Sequence, residues 1–117
     1  MAWLVRDAEV LAPLELATTR RARRRGLLGR DGIEGALLLR PARSVHTVGM
    51  RFAIDVAHCR VAGDTLEVLR VATMRPGRVG APVWRAGAVL EAAAGALGTW
   101  GVSTGDRLDV RPEIEST

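Results

Sequence analysis

The apolar residues of this chain come in short runs with turn residues, glycine, proline and aspartate prominent among them, in between. That punctuation constrains the fold more than any other feature. A chain so interrupted can build short strands and single turns of helix. It cannot build a long bundle, and no run approaches the roughly 18 apolar residues that a membrane-spanning helix needs. Taken in order, AWLVR (2–6) and EVLAPLELA (9–17) read as strands separated by a polar break at Arg6-Asp7. In the second, Val10, Leu14 and Leu16 share a parity and are expected to face a core, while Pro13, which lacks an N–H, belongs at an edge or bulge. Thr18 or Thr19 is the expected N-cap of a basic helix, TTRRARRRGLLGR, closed by Gly29 and docked through Leu27 and Leu28. Gly26, inside its last turn, marks a close approach of another part of the chain. Short strands follow at 35–39, 45–47, 52–61, 65–72 and 88–92, then a turn of helix at 93–98 and a last strand at 107–111. Ala62-Gly63-Asp64 and Thr104-Gly105-Asp106 supply tight turns, and the tail PEIEST is expected to fray. The expected fold is mainly β: a small barrel or curled antiparallel or mixed sheet with one or two short helices, all in one domain.

Composition narrows the setting. Apolar residues make up 48% and charged residues 26% of the 117 residues, the balance of a globular chain. The N-terminus has no basic region leading into a long apolar core, so no signal peptide is read and a cytoplasmic location is expected. The single cysteine, Cys59, cannot form an internal disulfide, and its place in a strand predicts a buried, inert thiol. All 17 basic residues are arginine, and five of them fall between Arg20 and Arg25, so the net charge of +4 is largely one local cluster.

Four pieces in order resemble a known family. They are Arg23 with Gly26-Leu27-Leu28 and Arg30; Gly35 to Pro41 (GALLLRP); residues 44–56 (SVHTVGMRFAIDV); and Val89-Leu90-Glu91 followed by Gly95 and Gly105-Asp106. Together they resemble the domain of unknown function 192 family over about residues 10–110. In the third piece Asp55 takes the aspartate position of the family's pattern, and His46 and Thr47 stand where Trp and Met are common. The resemblance implies a compact β-rich domain and no assigned activity. Many members of that family carry export signals, which this N-terminus lacks.

The stretch 44–56 is the candidate functional surface, because polar groups interrupt an apolar run there. His46, Asp55 and Glu91 could do acid–base work only if the fold brings them together. Asp55 and His58 have opposite strand parity and should not face each other. Asp55 and Glu91 each sit between apolar neighbours, so each either faces water or is buried with a partner. Arg23, Arg30 and Arg51 are the expected partners, because an unpaired buried charge is costly. No HxH, HExxH, CxxC, Walker or GxSxG pattern occurs, and no metal or cofactor is expected. Met50, Thr47 and Met74 are read as gap-filling. The leading functional reading is a non-enzymatic binding module for a small anionic ligand, such as a carboxylate or sugar acid, at residues 44–55 and the nearby arginines. A second reading is a small acid–base enzyme using Asp55, Glu91 and His46. A third is polyanion binding, to a nucleic acid or a membrane surface, through Arg20 to Arg25; with only 3% aromatic residues and no nucleic-acid signature, a nucleic acid is not the expected partner. Nothing in the sequence specifies an oligomeric state.

Overall fold

In the computed structural model, which describes residues 2–112, the short runs become seven strands and two short helices. These are β1 (Ala2–Arg6), β2 (Glu9–Ala17), α1 (Arg20–Arg25), β3 (Ala36–Leu39), β4 (Ile54–Ala62), β5 (Thr65–Met74), β6 (Ala88–Ala93), α2 (Ala96–Thr99) and β7 (Arg107–Pro112). The strands close into a barrel in the order β1-β2-β3-β6-β4-β5-β7, with β7 returning to β1. Neighbours are antiparallel except β2 and β3, which run parallel. A parallel pair cannot be joined by a tight turn. Residues 18–35 therefore carry the chain back along the barrel, and α1 lies on that return path.

Strand alternation sorts the apolar residues into two clusters. Leu4, Leu14, Leu38, Leu66, Leu90 and Leu108 fill the barrel interior, and α2 adds Leu97. The opposite faces of β3, β4 and β6 present Leu37, Leu39, Ile54, Val56 and Val89 to a second cluster. It is completed by Leu27 after α1 and by Val45 and Met50. These three strands are thus covered on both faces, which is why ALLL, IDVAHC and AVLEA read as almost unbroken apolar runs. Cys59 is fully buried inside the barrel, where burial pushes its thiol up to about 12.

Several expectations are corrected. Val10 is exposed, because a register shift opposite Leu4 and Val5 places an extra residue, Leu11, in β2; Leu16 is half-exposed beside Ala2 and Pro112. α1 stops at Arg25, with Gly26 and not Gly29 at its C-cap; Thr19 is the N-cap, its side chain accepting from the Ala22 N–H. Residues 45–47 contribute only one isolated bridge, His46 to Val79, in place of a strand. Pro13 sits one residue ahead of the β2–β3 ladder, where β2 is open on that side. Gly35 is needed beside it, because a Cβ there would collide with the Pro13 carbonyl oxygen. The tail expected to fray begins at Pro112, which ends β7; its remaining residues, 113–117, lie outside the described part of the chain.

Candidate functional site

A cleft opens between the end of α1, the outer wall of the barrel and the loop after β3. Its floor is Leu39 of β3 and Glu91 of β6, and Ser44, Val45, His46 and Met50 form one side. Arg23, Arg24 and Arg25, with Gly26 and the two leucines after it, form the other. Its volume is about 70 Å³, room for roughly five water molecules.

Glu91 is the unusual group. It shares the parity of Val89, so it points to the outer cluster and is only 4% exposed. Among the described residues no donor hydrogen-bonds to its carboxylate and no arginine pairs with it. Burial pushes its carboxyl up to about 7, because a charge held away from water loses solvation that nothing replaces. Gly26 makes the close approach possible. Its φ of +47° suits glycine, and a Cβ there would lie 3.6 Å from Glu91 Oε1.

The expected arginine partners are engaged elsewhere. Arg23 donates to the Thr18 carbonyl at 2.6 Å, which ties α1 down. Arg30 binds Glu15 through two bonds of 2.7 and 3.2 Å, holding Glu15 below the usual carboxylate range. Arg51 pairs with Asp31 at 3.0 Å on an exposed surface. Asp55 is buried with partners, but they are not arginines. Its carboxylate accepts from Thr73 Oγ1 at 2.7 Å and from the N–H groups of Gly95 and Leu97 at 2.9 and 3.1 Å. Asp55 thus fastens α2 to the barrel. It faces the opposite side of the sheet from Glu91, so Asp55, Glu91 and His46 do not converge. The second reading, a small acid–base enzyme, required that convergence, and the fold does not provide it.

His46 is exposed at the cleft edge, and the buried polar residue of its loop is Thr47. Thr47 Oγ1 donates to the Arg75 carbonyl at 2.6 Å and accepts from the Arg78 N–H at 2.9 Å. Backbone bonds reinforce this knot, from Thr47 N–H to the Arg78 carbonyl and from Gly77 N–H to the Thr47 carbonyl. The buried histidine is His58, both of whose ring nitrogens lack a partner among the described residues. Desolvation and the nearby Arg70 hold it below the ordinary histidine value. Of the residues singled out by sequence, the fold brings Glu91, His46 and Arg23 to one cleft and leaves Asp55, Arg30 and Arg51 outside it. Ser44 enters the cleft as the start of the stretch 44–56 and Gly26 as the close approach read from the sequence, whereas Leu39 joins through tertiary folding, which no local pattern records.

A closed seven-stranded barrel with a return segment strapped across its outer wall defines the class of this molecule. The chain belongs to the domain of unknown function 192 family, described as an uncharacterized ACR, which it matches over residues 3–110. Two solved structures share the fold. A protein of unknown function from Novosphingobium aromaticivorans DSM 12444 is 16% identical, with a TM-score of 0.65 over 92% of this chain and 82% of its own. A proposed transcription regulator from Sinorhizobium meliloti 1021 is 20% identical, with a TM-score of 0.65 over 93% of this chain and 91% of its own. No curated protein matches the sequence. No helix among the described residues is long and apolar enough to cross a membrane.

Proposed function

We propose that this chain is a binding module whose ligand is a small hydroxylated carboxylate or sugar acid held in the cleft above Glu91. The observation that carries the reading is the Glu91 carboxyl, 4% exposed and without a donor among the described residues, at the floor of a cleft rimmed by arginine. A buried polar group is costly when unpaired, and a ligand that pairs it recovers that cost on binding. A ligand hydroxyl would meet Glu91, while its carboxylate would lie toward the exposed guanidinium groups of Arg24 and Arg25. Leu39, Val45 and Met50 would contact its carbon skeleton. A cytoplasmic setting belongs to the same reading, since a reducing compartment suits the lone thiol of Cys59.

The test is a thermal-shift screen of the purified protein against hydroxy acids, sugar acids, neutral sugars and phosphate. A ligand that binds only the folded state adds about 2.7 kcal/mol at a hundred times its dissociation constant. The expected result is an acid that stabilises the wild type, with the effect lost in Glu91→Ala and weakened in Arg24→Glu. A flat screen, or a hit indifferent to both changes, ends the reading.

A further inference from the structure

The arginines are distributed unevenly in space as well as in sequence. Five lie in residues 20–25, three in 40–51 and three in 75–87, and these three segments contain no acidic residue. The fold sets the segments side by side. Residues 44–46 form a cleft wall with α1, while His46 bridges to Val79, and the Gly80 and Val83 N–H groups bond to the Val45 and Arg43 carbonyls. The segments that carry eleven of the seventeen arginines therefore adjoin one another, with Arg40 turned to the Gly63 carbonyl and Arg51 paired with Asp31, and the thirteen acidic residues all fall elsewhere in the chain.

That cationic side also carries exposed apolar side chains. Val48, Val79 and Trp84 are 52%, 79% and 76% exposed, three of the five large apolar residues most open to solvent among those described. All three sit on the loops 44–50 and 75–87, which Thr47 knots together. Arg78 and Arg85, both exposed, flank Val79 and Trp84 in the chain. Apolar tips beside exposed arginines, on loops that themselves carry no acidic residue, match the chemistry of an anionic bilayer surface. Arginines meet lipid phosphates there, while Trp and aliphatic groups enter the interface. Two aliphatic tips beside one aromatic favour a lipid surface over single-stranded nucleic acid, which would use stacked aromatics. We infer that this chain docks on anionic membranes through the loops 44–50 and 75–87, with α1 adding charge at their side.

The experiment is flotation of the purified full chain with vesicles of pure phosphatidylcholine and of phosphatidylcholine containing one-third phosphatidylglycerol. Binding is expected to the anionic vesicles alone and to weaken as salt is raised. Arg78→Glu with Arg85→Glu should cut partitioning at least ~25-fold, from about fivefold per arginine near the surface. Trp84→Ala should cut it about tenfold. Arg107→Glu with Arg111→Glu, an equal charge change on exposed positions of β7, which is no neighbour of β3, β6 or β4, should stay within about twofold, because a screened charge acts only at short range. Circular dichroism checks that each variant is folded, as these side chains are exposed. Equal binding to both vesicles, no binding, or equal losses in the two charge variants would overturn the inference. So would tighter binding of a single-stranded oligonucleotide that depends on Trp84.

Discussion

Glu91 shows how one residue can set both a chain's pH response and its candidate chemistry. Its carboxyl ionises near 7 in the fold and near 4.3 when unfolded. The folded state therefore holds the proton more tightly, and stability from this group is fully present below the unfolded value. It is lost as pH rises through about 7. The wild type should lose about 3 kcal/mol from this one group between pH 4 and 8. Glu91→Gln should remove that slope, as urea denaturation at both pH values would reveal. Asp55 is held in the fold by hydrogen bonds that its oxygens accept from Thr73, Gly95 and Leu97. Asp55→Ala strips three bonds and the tie to α2, and should cost about 3 kcal/mol. Equilibrium unfolding of that variant checks the figure, and an unchanged midpoint would contradict the role given to Asp55.

At the scale of elements, the knot at Thr47 and the turn at Gly26 hold the cleft in shape. Thr47→Val leaves the Arg75 carbonyl and the Arg78 side of the knot short of a partner, a loss of about 2 kcal/mol. Amide exchange at Gly77 and Arg78 should quicken while exchange inside β4 does not. Gly26→Ala forces a side chain into a positive-φ turn, at about 2 kcal/mol. Thermal denaturation should register the change. Much of this level was legible in the residues. β1 and β2 run over 2–6 and 9–17 as their turn residues imply, and β7 begins one residue after Asp106. The end of α1 was not legible, because Gly26 and Gly29 are equally able to stop a helix. In the fold it is Gly26, at a φ of +47°, whose N–H closes the helix on the Ala22 carbonyl. Asp55 and Glu91 both read as carboxylates inside apolar runs, but their partners were hidden. Asp55 is met by backbone N–H groups, which carry no side-chain signature, and Glu91 is met by none among the described residues. Val10 was misread because a bulge reverses strand parity, and no residue type marks that bulge at Leu11.

At the scale of the whole molecule, two buried titratable groups pull the acid and neutral limbs of stability in opposite directions. His58, held below its ordinary value, favours the fold while neutral. That contribution is present above about pH 6.5 and lost as pH falls through the folded value. His58→Leu should therefore reduce the loss of stability on going from pH 7 to pH 4, measured by urea midpoints, while leaving the Glu91 limb in place. The barrel carries both groups on its outer wall, and its hydrogen-bonded frame does not depend on either. The parallel pairing of β2 and β3 has a further consequence. Because that pairing obliges the chain to travel back over the barrel, residues 18–35 form a panel that adds no strand to the sheet and is held by Leu27 in the second cluster and by the Arg30–Glu15 and Arg51–Asp31 pairs. Such a panel can be lengthened, shortened or exchanged without breaking a single ladder. Members of one lineage could then differ in what the cleft accepts while sharing the same seven staves.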